Sequence, residues 1–192
     1  MTIRSDVFRR LSRIAVALLL VAALAPLQMA QAASTAAEID AKVDAALAQL
    51  KKEVPGSDVV LKEAKGVLVF AHVLKAGFVV AGEGGEGALR IGGKTNGYYS
   101  IFSGSVGLQA GGETREIIMA FLDADALKKF QESDGWKVGA DASVTLINVG
   151  AEGTIDSATL KKPIVGFVVG QKGLMAGISL DGSKISKLKP KP

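Results

Sequence analysis

Glycine divides this chain into two unlike parts, and that division limits what the chain can fold into. No glycine precedes Gly56, and all 23 glycines lie between Gly56 and Gly182. From Gly66 onward, apolar residues recur at every second position, which is the period of a β-strand. Many glycines within strands indicate bulges, tight bends or close backbone contacts. The sequence therefore predicts an α+β fold with a strongly curved or barrel-like, glycine-rich antiparallel sheet.

An amphipathic N-terminal helix is predicted from Ser34 to Val54. Ala, Lys, Glu and Gln dominate this segment, and all four are good helix formers. Thr35 and Glu38 have the spacing of a capping box. The larger apolar residues form one stripe, consisting of Ile39, Val43, Leu47, Leu50 and Val54. Pro55-Gly56 ends the helix, and a second short helix is expected from about Asp58 to Ala64.

Three segments alternate between apolar and small or polar residues, as half-buried antiparallel strands do. They are residues 105–110, 140–146 and 174–181. Residues 116–122 and 164–169 are almost continuously apolar, so they are predicted to be strands covered on both faces. One short helix is predicted over residues 126–132, capped by Asp123 or Asp125 and ended by Ser133-Asp-Gly135.

Residues 1–32 have the order of a secretory signal peptide. Four arginines accompany an apolar run of 11 residues from Ile14 to Leu24, and Ala30-Gln31-Ala32 forms a cleavage site before Ala33. A helix that spans a bilayer needs about 20 apolar residues. Cleavage is therefore favoured over a retained anchor, and the protein is expected to be exported.

Charge and cysteine usage exclude several classes of function. The chain has 23 Lys and Arg against 19 Asp and Glu, and the signal segment holds four arginines and Asp6, which leaves 19 against 18. A mature charge near +1 argues against general nucleic-acid binding. Cysteine is absent, which excludes disulfides, thiol catalysis and cysteine zinc sites. A solvated basic tail is expected from four lysines, namely Lys184, Lys187, Lys189 and Lys191.

Nucleotide-binding motifs fail the test of context. Gly82-Glu-Gly-Gly-Glu-Gly87 fits G-x-G-x-x-G, but no helix follows it as a dinucleotide site requires. This segment is predicted to be a flexible hairpin turn. Residues 88–95 nearly match a P-loop, but they lack its first glycine and the helix after Lys94-Thr95.

No catalytic or metal-binding constellation is found either, so we predict a non-enzymatic protein without cofactor or metal. The only histidine, His72, cannot build a histidine metal cluster and is predicted to lie in a loop. Glu83 and Glu86 lie in the predicted glycine turn, which is too loose for acid–base catalysis. Asp141 and Asp156 are predicted to be turn or solvent-facing residues. A hydrolase using His72, a serine and a carboxylate is the least favoured alternative.

Four ordered blocks of the mature chain resemble the SYLF domain family. The blocks are Ala64-Lys-Gly-Val-Leu-Val-Phe70, Lys75-Ala-Gly-Phe78, residues 103–112 and residues 171–182, and residues 116–122 also fit. The resemblance runs from about Ala36 to Leu188. It implies a lipid-binding module, because eukaryotic members of the family favour phosphoinositides and some bind actin filaments. Bacterial members are typically exported and stand alone, as this chain is predicted to do.

The resemblance implies a SYLF-like domain over residues 33–188, followed by a basic tail over residues 189–192. It further implies a non-enzymatic module of the bacterial cell envelope whose partner is an anionic phospholipid, phosphoinositide-like or other membrane surface. The expected location is the periplasm, the outer membrane or the exterior. A structural or scaffolding protein that binds another envelope protein is the alternative.

Three lysines within the matching blocks are the candidate lipid-binding residues: Lys65, Lys75 and Lys172. Each lies beside glycine or close to it and could pair with a phosphate as a point charge. A solubilising surface lysine is the alternative for each. The N-terminal helix could lie on a membrane, but alanine dominates its apolar side and no Trp or Phe is present. Packing of this helix on the sheet is therefore favoured.

Overall fold

The computed structural model describes residues 34–77, 80–106, 113–147, 155–170, 173–175 and 178–192. Ser34–Pro192 forms one compact unit. The predicted signal peptide, Lys172 and most of the strand predicted over residues 105–110 lie outside the described residues, so these predictions stay untested by the fold.

In the described part of the chain, three α-helices begin and end close to where the sequence predicts. Helix α1 (Ala36–Glu53) begins at a complete capping box between Thr35 and Glu38, and its buried side contains Ile39, Val43, Ala46 and Leu50. Helix α2 (Ser57–Glu63) follows directly. Helix α3 (Ala124–Glu132) begins at Asp123, whose carboxylate accepts the backbone N–H of Ala126 at 2.8 Å. Polar caps that satisfy free N–H groups thus confirm the predicted starts of α1 and α3.

Among the described residues, nine strands form a single sheet. They are β1 (Gly66–Gly77), β2 (Val80–Ile91), β3 (Lys94–Val106), β4 (Glu113–Phe121), β5 (Trp136–Lys137), β6 (Thr145–Leu146), β7 (Ile164–Gly170), β8 (Gly173–Leu174) and β9 (Lys184–Leu188). The order is β5–β9–β3–β2–β1–β4–β7–β6, with β8 pairing to β7. All described pairings are antiparallel except β6 with β7. The eight strands of this path curl strongly into a half-barrel, which confirms the predicted α+β fold.

The inner face of the half-barrel holds one apolar core. Ile185 from β9 and Ile164 from β7 lie near opposite edges of the sheet, yet they belong to the same buried cluster. Helix α3 contributes Leu127 and Phe130 to this cluster. The rings of Phe130 and Trp136 meet edge to face with centroids 5.4 Å apart, a favourable aromatic geometry. The sheet therefore curls around a shared core.

Helices α1 and α2 cover the middle of the outer face. Val43 and Leu50 of α1 join a second buried cluster with Val69 of β1, Ile118 of β4 and Phe167 of β7. Strands β4 and β7 consequently have apolar residues buried on both faces. This confirms the prediction that the continuous apolar runs at 116–122 and 164–169 are strands covered on both sides.

The predicted hairpin turn at residues 82–87 is wrong, because these residues lie inside β2. Strand β1 has a bulge between Phe70 and His72, which presses its backbone against β2. A Cβ atom at Gly87 would overlap the carbonyl oxygen of Val69, and one at Gly85 would lie 2.7 Å from that of His72. Glycine therefore permits close approach of two strands. His72, predicted to lie in a loop, is an exposed residue of β1.

The strands predicted over residues 140–146 and 174–181 are also mostly wrong. Only the two-residue strands β6 and β8 form there among the described residues. Gly139 has a φ of 86°, and the N–H of Asp141 donates to Lys137 O at 2.9 Å, which makes a turn. Alternate residues nevertheless pack in or against the inner core, namely Ala142, Val144 and Leu146 in the first segment and Ile178 and Leu180 in the second. The alternation in these segments reports packing and not strand pairing.

The chain end expected to be a solvated tail takes part in the fold. Lys184 and Lys187 lie within β9, which pairs with β3. Farther on, the N–H of Lys191 donates to Ser34 O at 3.3 Å, and Lys191 forms a bridge with Thr35. Backbone hydrogen bonds therefore tie this segment to the start of α1. Asp141 and Asp156 are exposed, as predicted.

Candidate functional site

The structure does not bring Lys65 and Lys75 together. Lys65 directly precedes β1 and Lys75 lies near its other end, in a strand of 12 residues. At about 3.3 Å per residue, roughly 30 Å separate the two lysines. Lys172 lies outside the described residues. The assignment of lipid contacts to these lysines stays a prediction, and Lys65 and Lys75 must be treated as separate positions.

Lys65 shares one end of the sheet with two other exposed lysines. Its N–H donates to Phe121 O at 2.7 Å, and Phe121 pairs with Ile164, directly after Lys161, Lys162 and Pro163. Because neighbouring strands lie about 4.8 Å apart, the backbones of Lys65 and Lys162 are roughly 10 Å apart. Exposed carboxylates, Glu63 and Asp123, occupy the same end. This end therefore has mixed charge.

Lys75 lies beside a buried ion pair. It is half-buried and stands directly opposite Glu83 on β2. Arg115 of β4 donates from Nε to Glu83 Oε1 at 2.6 Å and from Nη2 to Glu83 Oε2, and both side chains are 8% exposed. Ser103 Oγ donates to Glu83 Oε2 at 3.4 Å. Both carboxylate oxygens are engaged, so this pair holds β2 and β4 together across β1 and is not arranged as a catalytic base.

An exposed row of three side chains crosses the outer face of β3, β9 and β5. Phe102 stands opposite Lys184, and Lys184 stands opposite Lys137; we call these three residues the outer row. Directly opposite residues point to the same face of a sheet. Phe102 is 62% exposed, and both lysines are exposed.

The neighbouring row of residues shows that the outer row lies on the outer face of the half-barrel. Ile101, Ile185 and Trp136 are paired in the same way, one residue along each strand, and we call them the inner row. All three are buried in the inner core. Because successive residues of a strand point to opposite faces, the outer row must lie on the outer face. Helix α1 reaches β3 through hydrogen bonds to Thr95 and Tyr98, near the start of that strand, and leaves the outer row exposed.

The two lysines of the outer row repel each other. Side chains directly opposite across an antiparallel pair have Cβ atoms about 5 Å apart, and like charges there are destabilising. Among the described residues, no carboxylate lies within 4.0 Å of either ammonium group. The nearby carboxylate of Asp141 accepts the backbone N–H of Lys137 at 2.6 Å. An anion bound at Lys137 and Lys184 would relieve the repulsion.

Comparison with known proteins gives the family. Residues 102–190 match the family model described as "Ysc84: Las17-binding protein actin regulator". LAS seventeen-binding protein 3 and Protein YSC84, both from Saccharomyces cerevisiae (strain ATCC 204508 / S288c), are 32% identical to this chain over 134 residues, or 66% of the chain. The chain carries a Ysc84 (SYLF) family domain.

The matched residues of the SYLF domain include the whole outer row, whereas Lys65 and Lys75 precede the range of the family model. The alignment spans 29% of LAS seventeen-binding protein 3 and 28% of Protein YSC84. The chain therefore spans less than a third of the length of these relatives. The family is of an actin-binding or lipid-binding type and is not an enzyme class.

A polar network fastens α1 of the SYLF domain to β2 and β3. Arg90 Nη2 donates to Asp44 Oδ1 at 2.7 Å and lies 3.4 Å from Asp40 Oδ1. Thr95 Oγ1 and Tyr98 Oη donate to the two oxygens of Asp40 at 2.7 and 2.9 Å. Burial, followed by the hydrogen bond to Asp40, raises the pKa of Tyr98. Together with the buried apolar side of α1, these contacts confirm that the helix packs on the sheet.

The described part of the SYLF domain does not show the features of a histidine-based hydrolase site, a metal site or a membrane-spanning helix. His72 is exposed opposite Glu86 on β2, whose carboxylate accepts the N–H of Ser34 at 3.1 Å. No hydrogen bond among the described residues joins His72 to a serine, and no three described acidic or histidine side chains are grouped to hold a metal. None of the described helices is long and apolar enough to cross a bilayer.

Sequence reasoning alone does not single out the outer row. It places Lys184 in a tail and gives Phe102 and Lys137 no role. The usable signal is the pair of neighbours Ile101-Phe102 and Trp136-Lys137, in which a buried residue precedes an exposed one. That signal becomes informative only when the pairing of β3, β9 and β5 is known.

Proposed function

We propose that this SYLF domain is a non-enzymatic module that binds an anionic lipid surface of the bacterial cell envelope. The observation that supports this most is the exposed pair Lys137 and Lys184, held directly opposite each other without a carboxylate partner among the described residues. Lysine binds phosphate as a compact point charge. Two such charges at a fixed spacing suit the phosphates of a lipid surface.

A membrane also suits the weak overall charge of the mature chain. A basic group near an anionic bilayer contributes about 1 kcal/mol, and this attraction falls off within a Debye length of about 10 Å. Local lysines can therefore bind a surface even when the net charge is near zero. The predicted signal peptide supports export, and the periplasm, the outer membrane or the exterior is the proposed location.

Co-sedimentation with vesicles tests this function. Protein comprising residues 33–192, which includes the compact unit Ser34–Pro192, is mixed with vesicles of phosphatidylcholine alone or with phosphatidylglycerol. We expect it to sediment only with the anionic vesicles, and to dissociate as salt is added. If wild-type protein sediments with neither vesicle, the proposed function is wrong.

Charge reversal tests the proposed surface. K137E/K184E should abolish sedimentation with anionic vesicles, because it replaces two attractive charges by two repulsive ones. K128E/K129E is the matched control, since it makes the same charge change at exposed positions of α3. K65E and K75E, made singly, test the two lysines predicted from the family resemblance. Equal loss in both double variants would show that only total charge matters.

Binding to another protein of the envelope is the second candidate. It is favoured by the name of LAS seventeen-binding protein 3, which describes that relative as a protein-binding protein. This chain would then act as a structural or scaffolding component. Capture of a defined envelope protein by wild type but not by K137E/K184E, without any vesicle binding, would support this candidate over the lipid one.

A further inference from the structure

The outer row contains an aromatic side chain that the folded domain does not use. Phe102 is 62% exposed, and Val59 on α2, at 44%, is the other strongly exposed large apolar residue of the described part. Ile101, the residue before Phe102 on β3, is only 4% exposed, because it points into the core. Full burial of a phenylalanine is favourable by about 1.5–3 kcal/mol. Because Phe102 is exposed, a partner that buries its ring would gain this free energy on binding.

Glycines leave the ring of Phe102 accessible. Gly84 stands opposite Phe102 on β2, and a Cβ atom at Gly82 would lie 3.8 Å from the ring. A Cβ atom at Gly104, the next residue on the same face of β3, would meet nothing within 4 Å. The ring therefore lies among glycines that place no side chain beside it on the outer face.

We propose that Phe102 enters the boundary between headgroups and acyl chains of an anionic bilayer while Lys184 and Lys137 contact the phosphates. This deepens the proposed lipid-binding function and rests on it. Peripheral segments that bind membranes combine basic side chains with an apolar residue buried about 5–10 Å into that boundary. The outer row has this composition on three adjacent strands. A soluble phosphate would engage the lysines but would leave the ring in water.

Helix α1 stays on the sheet during this contact. Its apolar side is already buried against the outer face, with Val43 and Leu50 at 0% exposure. Arg90 additionally bonds to Asp44, and Thr95 and Tyr98 bond to Asp40. Release of α1 would expose this apolar side and break the polar network. The membrane is therefore contacted by the sheet and not by the amphipathic helix.

A single fluorescent probe tests the insertion of residue 102. The chain contains no cysteine, so F102C can be labelled uniquely with an environment-sensitive dye. With anionic vesicles we expect a blue shift and quenching by spin-labelled acyl chains. K128C on α3 is the control and should report water throughout. Wild-type sedimentation combined with an aqueous signal at residue 102 would overturn the insertion and leave the proposed function standing.

Loss of the ring tests its contribution to affinity. F102S should bind anionic vesicles about tenfold more weakly, which corresponds to about 1.4 kcal/mol. V59S is the matched control, because it removes the other exposed apolar side chain, and it should bind as wild type does. Both variants should retain the wild-type melting temperature, since neither side chain is buried.

Glycerol phosphate separates a bilayer from a soluble ligand. Its binding, followed by chemical shifts of lysine side chains, should be equal in F102S and wild type, because it has no acyl chain for the ring to join. An equal loss for vesicles and glycerol phosphate would show that Phe102 only positions the lysines, and would overturn the proposal. Amide exchange in α1 should not change on vesicle binding, and loss of protection there would contradict a docked helix. Failure of wild-type sedimentation would refute the proposed function itself.

Discussion

The inner and outer rows lie on the same three strands, but the side chains of one are buried and those of the other are exposed. The inner row, Ile101, Ile185 and Trp136, is sealed in the core of the half-barrel. The outer row, one residue away on each strand, is exposed. Alternation within a strand thus separates a stabilising surface from the proposed binding surface by one residue. Substitutions on the two faces should therefore have separable effects on stability and on binding.

The outer face itself has two regions. Helices α1 and α2 cover its middle and bury residues such as Val69 and Ile118. Beyond them, the outer row is uncovered. Coverage by helices, and not the identity of the strands, decides which part of this face is core. The largest losses of stability are therefore expected where close backbone contacts or charges are buried. A gain is expected where a carboxylate buried under a helix is neutralised.

The largest effect is expected at Gly87, where the close approach of β1 leaves no room. G87A would place a Cβ atom onto the carbonyl oxygen of Val69, so the backbone of β1 or β2 must move. We expect a loss of more than about 4 kcal/mol in the free energy of unfolding, or failure to fold. G104A is the control, because nothing lies within 4 Å of its new methyl group. Urea unfolding that shows equal stability for both variants would contradict the observed approach of β1.

Removing one partner of the buried ion pair should be nearly as harmful. E83A leaves Arg115 buried without its carboxylate, and breaking such a pair is destabilising by about 3–5 kcal/mol. The double variant E83L/R115M replaces both charges by apolar groups and should recover most of that loss. Urea unfolding of single and double variants measures the difference. Equal losses would mean that the pair contributes packing and not charge compensation.

A direct comparison of the two rows comes from neighbouring residues of β9. I185A removes a side chain that is 1% exposed and should lower the free energy of unfolding by about 3 kcal/mol through loss of burial and creation of a cavity. K184A, one residue earlier and exposed, should change stability by less than about 0.5 kcal/mol. Only K184A should weaken vesicle binding when both proteins are folded. A large loss of stability in K184A would refute the assignment of the outer row to a free surface.

Local features of the sequence predicted much of this fold. The capping box at Thr35 and the cap at Asp123 depend on residues three positions apart, so they can be read directly. The continuous apolar runs of β4 and β7 likewise predicted burial on both faces. These signals are short-range, and the structure confirms them.

Features that depend on distant contacts could not be read in the same way. Residues 82–87 look like a turn in the sequence, because the close approach of β1 to Gly85 and Gly87 is visible only when the two strands are paired. The outer row depends on the pairing of three strands that are far apart in the chain. The segment 140–146 shows the opposite error, since residues there alternate by packing on the core without forming a long strand.

The last expected effect depends on pH and lies in the helix-covered region of the outer face, at Glu116 of β4. Its Oε2 atom is buried without a hydrogen-bond partner among the described residues. Burial, and then repulsion from Glu53 of α1, raises the pKa of Glu116 above its ordinary value of 4.5. The folded state therefore binds this proton more tightly than the unfolded state does.

The sign of the pH dependence follows from that difference. The contribution of Glu116 to stability is most favourable below pH 4.5, declines as pH rises from 4.5 through the folded pKa, and stays at its lower value above it. E116Q removes the ionisation, so it should be more stable than wild type near pH 7, with the gap closing below pH 4.5. E63Q, at an exposed position of α2, should not reproduce this gap. Urea unfolding at several pH values measures it, and a gap that widens toward acid would show that the charged form of Glu116 is stabilised in the fold.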